Sequence, residues 1–186
     1  MTVCWCICGS FCTLSRVISQ MEAFARGGDT LIPVVSETVA TLDTRFGKSA
    51  DFLRRVEEIC RRPPVTDIVG AEPIGPKLRP DLAVIAPCTC NTLSKLAHGI
   101  SDSAVTLAAK SHLRRGAPLL ISLSGNDVLA ANFKNLAALY TRKNIFFVPM
   151  RQDDPVAKPF SCVADETRLP EAISAALEGR QLKIFN

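Results

Sequence analysis

Four short stretches hold the residue types with chemistry to offer. Gly9-Ser10 follows an apolar run at 3–8, and Ser36 closes another at 31–35. Pro87-Cys88-Thr89-Cys90-Asn91 and Ser124-Gly125-Asn126-Asp127 follow two more. These residues are small, hydroxylic or amide. Glycine lets backbone approach a ligand closely, and a helix that begins just after it offers unpaired N–H groups. With hydroxyls nearby, this equips a site for a phosphate-bearing ligand. An ordinary strand-to-helix turn with a serine cap uses the same residues, and spacing leaves both readings open. Neither GxGxxG nor GxxxxGK[ST] is present.

Other chemistries lack their parts. A metal centre needs converging His, Cys and carboxylate ligands, and the stretches do not supply them. The two histidines, His98 and His112, fall within helical patterns away from any strand end and read as structural or surface groups. No Ser-His-Asp or Cys-His order stands out. Asp102, Asp127, Asp153 and Asp154 read as loop or cap carboxylates. Cys4, Cys6 and Cys8 alternate along one strand, so their side chains share a face about 6–7 Å apart. They read as small buried hydrophobes. Cys88 and Cys90 flank Thr89 and read as site lining without thiol chemistry.

The elements that must position these residues follow from periodicity. Apolar runs at 3–8, 31–35, 82–86, 119–123 and 145–149 read as buried strands, and 65–69 as a further one. Between them lie helical patterns. Leu14, Val17, Ile18, Met21 and Phe24 are spaced by three and four, with a stop at Gly27-Gly28. Further helices are expected at about 49–62, 91–98, 103–115, 128–141 and 165–178. Segment 37–50 reads as irregular, Pro87 as the end of its strand, and 70–80 and 150–160 as loops. Alternating strands and helices predict a three-layer α/β/α, doubly wound, mostly parallel sheet of about six strands, a Rossmann-like arrangement in one domain spanning 1–186. In such sheets ligands sit beyond the carboxyl ends of the strands.

Composition narrows the partners. The 186 residues carry 22 Lys plus Arg against 18 Asp plus Glu, a net charge of +4, too mild for nucleic acid as the default partner. Aromatics are 6%, too few for base-stacking platforms. Hydrophobic residues reach 47%, enough for a core without staples, so the eight cysteines need not form a disulfide framework. No apolar run is long enough to span a membrane, and no charged segment precedes the apolar N-terminus as in a signal peptide. The expectation is a soluble, cytosolic, reduced protein.

The segment Ala86-Pro87-Cys88-Thr89-Cys90-Asn91-Thr92-Leu93-Ser94-Lys95-Leu96-Ala97-His98-Gly99-Ile100-Ser101-Asp102 resembles a long signature, AP-x-T-x-NT-x-[SA]-K-x-A-x-G-[IL]-x-D. That signature belongs to the homo-oligomeric flavin-containing cysteine decarboxylase superfamily. The resemblance implies bound FMN, with Gly9, Ser10, Ser36, Pro87, Thr89, Asn91, Ser101, Asp102 and Ser124 as its contacts and no metal. It also implies a homo-oligomer, a trimer or dodecamer, with the flavin ring near Thr89 and Asn91 where two copies meet. Two departures matter. Pro73 stands where the decarboxylases carry a histidine, and only Asn126 remains of their PxMNxxMW segment. Peptidyl-cysteine decarboxylation therefore lacks its base and its substrate clamp.

A second set of segments resembles the B-chain family of dipicolinate synthases. They are Thr41 to Gly47, Ala71 to Lys77, Ser124 to Asp127, Lys143 to Pro149, and Gln152 to Pro155 with Lys158-Pro159. That resemblance implies a heteromeric partner, the Rossmann-type A component of dipicolinate synthase. The pair oxidises a dihydrodipicolinate-pathway intermediate to dipicolinate in the mother-cell cytoplasm of a sporulating bacterium. Arg45, Lys77 and Arg151 lie in loops able to meet the two carboxylates of such a small substrate. Asn91, Asn126 and Lys77 are the candidate catalytic residues. Two other readings stay open: a non-catalytic partner that holds substrate or assembles with the A component, and an atypical flavin-dependent decarboxylase.

Overall fold

Five apolar segments become parallel strands because they are buried on both faces. In the computed structural model, which describes residues 1–185, they are β1 (Thr2–Ile7), β2 (Thr30–Val35), β3 (Leu82–Cys88), β4 (Leu119–Gly125) and β5 (Ile145–Phe147). An antiparallel pair, β6 (Met150–Asp154) and β7 (Lys158–Ala164), extends the sheet. Helices cover both faces: α1 (Leu14–Arg26), α2 (Glu37–Thr41), α3 (Ser49–Cys60), α4 (Ile68–Ala71), α5 (Cys90–Ala97), α6 (Ala104–Leu113), α7 (Phe133–Tyr140) and α8 (Leu169–Leu177). The seven strands run in the order β2-β1-β3-β4-β7-β6, with β5 also paired to β4. The edge of β4 is divided: Leu119 to Ile121 pair with β5, while Ser124 and Gly125 pair with β7.

Strict alternation along each strand builds the three layers. Cys4, Cys6, Ala83, Ile85, Leu119 and Ile121 face α5, α6 and α7. Val3, Trp5, Ile7, Val84 and Leu120 face α1, α3 and α8. The cysteines of β1 are packing atoms here: Cys4 and Cys6 have their sulfurs 3.8 Å apart and are fully buried. Trp5 donates its indole N–H to the Ala86 carbonyl at 3.3 Å, which satisfies the one polar atom of this large core side chain.

The α/β/α expectation holds, and several local expectations do not. Segment 65–69 is not a strand. Val65 makes a single bridge to Val34, and Asp67 then caps α4 through the Gly70 N–H. Pro63-Pro64 precedes that bridge, and without N–H groups there the ladder cannot extend. Segment 37–50 holds α2, whose single buried residue, Val39, is too little to show a helical period. It also holds a tight turn closed by Thr44 and Gly47. Strand β3 runs through Pro87, whose bond from Ala86 is cis, to Cys88. Segment 150–160 is no loop but the β6–β7 hairpin. Its turn is fixed by Asp154, whose side chain accepts from the Val156 and Ala157 N–H groups at 3.0 and 2.9 Å. Helix α7 begins five residues late, after a run of turns from 126, and α8 begins at Leu169 behind a 3-10 turn at 166–168.

Gly75 shows how tightly the α6 side is packed. Its φ is ordinary at −70°, yet an added Cβ would fall on the backbone carbonyl of Ser111. Its own N–H donates to Ser111 Oγ at 3.2 Å. Since the obstacle is backbone, Gly75→Ala is expected to cost about 1–3 kcal/mol. Urea unfolding checks this; an unchanged midpoint would show that α6 gives way freely.

Candidate functional site

The strand order opens a crevice at one place. From β1 the chain turns toward β2, whereas from β3 it turns the other way toward β4. Helix α1 accordingly packs on one face of the sheet and α5 on the other. The mouths of β1 and β3 are thus uncovered side by side, the topological switch point at which open α/β sheets bind ligands. A cleft of about 640 Å³ lies there.

Gly9 and Ser10 form one wall of this cleft, Thr89 and Asn91 a second, and Ser124 and Asn126 a third. Arg45 and Arg151 reach it from loop and hairpin. These sequence-derived candidates converge. Ser10 bears on the open alternative between ligand contact and cap. It stands at the N-cap position ahead of the helical run at 11–26 but makes no capping hydrogen bond. The nearest polar contact of its hydroxyl is Cys12 Sγ at 4.0 Å. Ser36 likewise precedes α2 without capping it, and its Oγ is buried with no hydrogen-bond partner among the described residues. It lies at the neighbouring strand mouth, outside the cleft lining. Thr89 differs: its Oγ1 accepts from the Thr92 N–H at 3.3 Å and so caps α5.

Other candidates fall elsewhere. Pro87 is buried in β3, and its carbonyl accepts from the Cys8 N–H at 3.1 Å, tying β1 to β3 just below the cleft. Ser101 and Asp102 sit beyond the far end of α5, where Lys95 pairs with Asp102 at 2.8 Å and Lys110 donates to Ser101. The Lys95 ammonium holds the Asp102 carboxyl below its ordinary range. Lys77 follows the 3-10 turn at 72–74, at the end of the sheet where β3 begins, opposite the cleft. The histidines are away from the cleft as well. His98 is exposed, while His112 is fully buried against the Pro118 carbonyl and pushed down to about 4 by that burial.

The four carboxylates read as loop or cap groups lie in loops, turns or the hairpin, and among the described residues none of them caps a helix. Asp102 leaves that role to Ser103, Asp153 pairs with Lys158 at 2.7 Å, and Asp127 stands six residues ahead of α7. Asp127 instead lines the cleft, where its Oδ2 accepts from Asn132 Nδ2 at 2.7 Å. Beside it Cys90 packs against Gly125, where any Cβ would overlap the sulfur. Burial, then the adjoining Asp127 carboxylate, pushes the Cys90 thiol up to about 12, so it is a neutral wall of the site. Sequence reasoning also missed Arg16, Phe46, Lys158 and Ser161 in the lining. Arg16 carried a readable signal, a cation in the first turn after Gly9-Ser10. The hairpin residues had none without knowledge that β7 joins β4.

The electrostatic balance favours an anion. Among the described residues Arg16, Arg45 and Arg151 form no ion pair, although Arg45 lies 4.9 Å from the Phe46 ring centroid. An apolar pocket of about 440 Å³ adjoins the cleft and shares Phe11, Cys12 and Phe46 with it. Among the described residues no group of three His, Cys, Asp or Glu is placed to hold a metal ion, and no helix is long and apolar enough to cross a membrane.

Comparison with known proteins matches the Flavoprotein family model to residues 2–176. The B chain of dipicolinate synthase from Bacillus subtilis (strain 168) is 43% identical over 175 residues, which cover 94% of this chain and 88% of that protein. The crystal structure of the corresponding B chain from Bacillus halodurans matches at 42% identity with a TM-score of 0.91, covering 100% of this chain and 95% of that one. The FMN-dependent cysteine decarboxylase SpaF shares the fold at 23% identity, with a TM-score of 0.70 and coverage of 96% and 95%.

One ionisable group lies below the cleft, in the 3-10 turn at 166–168, against Ser122, which is two residues down β4 from Ser124. Glu166 is 5% exposed; its Oε1 accepts from Ser122 Oγ at 2.6 Å and its Oε2 has no partner among the described residues. Burial raises its carboxyl from 4.5 to about 7, against the opposing pull of Ser122 and Arg16. The native chain thus holds a proton that the unfolded chain releases from about pH 4.5 upward. The stability linked to this group is complete below that pH and is lost as pH rises through about 7, by roughly 3 kcal/mol. Glu166→Gln removes the penalty, so its urea-unfolding free energy is expected to gain on the native chain across that window. Parallel curves for the two proteins would be the contrary result.

Proposed function

Because the chain belongs to the Flavoprotein family, we propose that it binds FMN in the β1/β3 cleft and serves as the B component of a dipicolinate synthase. The observation that carries the reading is the pair of uncommitted serine hydroxyls at adjacent strand mouths, Ser10 without a cap bond and Ser36 buried without a partner. They lie where a helical run begins, which suits a phosphate. The identity to the Bacillus subtilis B chain over nearly the whole length supports the assignment, and the FMN dependence of SpaF supports FMN as the flavin.

The residues divide the work as follows. Gly9, Ser10 and Ser36 hold the phosphate end. Thr89, Asn91 and Ser124 stand beside the ring, with the Pro87 carbonyl fixing the β1–β3 spacing beneath them. Ser101 and Asp102 lie on another surface, so only a neighbouring copy in a homo-oligomer brings them to a cleft. Arg45 and Arg151, with Arg16 added, meet the carboxylates of a small cyclic dicarboxylate. Phe11 and Phe46 wall off water on the apolar side. When bound, FMN supplies a two-electron acceptor for hydride. Aromatising the substrate ring is such an oxidation, carried out with a Rossmann-type A component in the cytoplasm of a sporulating mother cell.

The purified chain is expected to take up FMN with visible flavin absorbance. Asn91→Asp is expected to weaken that uptake, because a donor amide beside an electron-accepting ring becomes an anion. Ser10→Ala is expected to cost about 1.5–3 kcal/mol of FMN affinity, a hydrogen bond to a charged group. Arg151→Ala is expected to weaken dipicolinate binding while leaving FMN uptake intact. A colourless chain that binds dipicolinate but no FMN would replace this reading with a non-catalytic substrate holder. Carbon dioxide release from a cysteine-derived acid would replace it with a decarboxylase.

A further inference from the structure

Two carboxylates line the cleft, and they differ in one respect. Asp153 is neutralised by Lys158 at 2.7 Å. Asp127 is not: among the described residues no Lys or Arg pairs with it, and it meets neutral groups, the Asn132 amide and the Cys90 thiol. Its position is held firmly. The Asp127 backbone carbonyl accepts from the Ala130 and Asn132 N–H groups at 3.1 and 3.2 Å, which rolls the chain into a turn around the side chain. On the other side the Cys90 thiol packs against Gly125, leaving Asp127 half-buried at the cleft wall. Among the described residues no histidine lines this cleft, so the usual proton acceptor is missing from it.

We propose that Asp127 is the general base of this site, the group that takes a ring proton from the bound dicarboxylate. The inference rests on the reading of the cleft as the seat of a dicarboxylate oxidation. Aromatising a dihydropyridine-type ring removes two hydrogens. One C–H bond breaks with its electron pair kept by the ring, and its proton goes to a carboxylate oxygen of Asp127. The other hydrogen would leave with its electron pair as hydride, for which FMN, when bound, would supply the two-electron acceptor. The ring gains one double bond, the carboxylate becomes a carboxylic acid, and the acceptor is reduced by two electrons. Arg16, Arg45 and Arg151 bind the substrate carboxylates, so the base meets a substrate whose own charge is already compensated. The titratable and charged groups that share the cleft with Asp127 are Cys90 on α5, Cys12 ahead of α1, Arg16 on α1, Arg45, and the hairpin residues Arg151, Cys162 and the Lys158–Asp153 pair.

The test uses the complex assembled with the A component and loaded with FMN. Asp127→Asn keeps the shape and can still accept from Asn132. It is expected to lower kcat by about 100-fold or more, the usual share of a general base. Dipicolinate affinity of the isolated chain, measured by calorimetry, is expected to stay close to the native value. Asp127→Glu, which restores a carboxylate, is expected to recover part of the rate. An unchanged kcat in D127N overturns the proposal. So does a loss confined to KM and dipicolinate affinity, which makes Asp127 a binding residue. So does a D127E rate no better than that of D127N. Dipicolinate formation that is independent of FMN in the native complex overturns the flavin reading and this inference with it. FMN-dependent formation that D127N leaves intact overturns the inference alone.

Discussion

The divergence of the chain at β1 and β3 is the constraint on which the site depends. Neighbouring parallel strands deliver their carboxyl ends to the same edge of the sheet, and each must then be followed by a helix that packs on one face. Because β1 leads toward β2 and β3 leads toward β4, α1 and α5 depart to opposite faces. Among the described residues no helix covers the gap they leave. The Cys8 N–H to Pro87 carbonyl bond closes the sheet immediately beneath, so the gap has a floor and does not extend into the core.

Side-chain size at that floor is set by packing from below. Cys4, Cys6, Cys8 and Cys88 are buried on the α5–α6 face, where small polarisable side chains let the helices come close. The same economy continues to the cleft wall, where Gly125 yields its Cβ volume to the sulfur of Cys90. The eight thiols are therefore mostly a packing feature, and burial keeps Cys8 and Cys88 protonated. Cys90 and Cys162 share this chemistry although they border the cleft, since burial raises both. The ligand-facing chemistry is left to hydroxyls, amides, arginines and one carboxylate.

The hairpin closes the third side. Its β7 strand joins β4 at Ser124 and Gly125 because β5 ends its pairing with β4 at Ile121, which frees the last stretch of that edge. Ser161 ties the hairpin in by donating to the Gly125 carbonyl at 3.2 Å. Arg151 and the Lys158–Asp153 pair are thereby carried to a cleft built mainly by residues far earlier in the chain. Cationic side chains from three regions surround one unpaired carboxylate, an arrangement suited to an anionic ligand that gives up a proton.

The amino-acid sequence by itself determined the α/β/α class, the five parallel strands and the strand-end stretches around Gly9, Thr89 and Ser124. Those features are written in local periodicity and in residues that follow apolar runs, and neither depends on distant contacts. The quoted segment at 86–102 also carried the family. Only the tertiary structure decided the rest. Val65 failed to become a strand because a single bridge to Val34 was available to it. The charged segment after 150 became a strand pair because the edge of β4 lay open. Ser101, Asp102 and Lys77 stand outside the cleft of their own chain because helix length and sheet direction, which spacing does not reveal, place them there. Asp127 entered it because α7 starts late, so a residue with the chemistry of a helix cap was left facing the cleft instead.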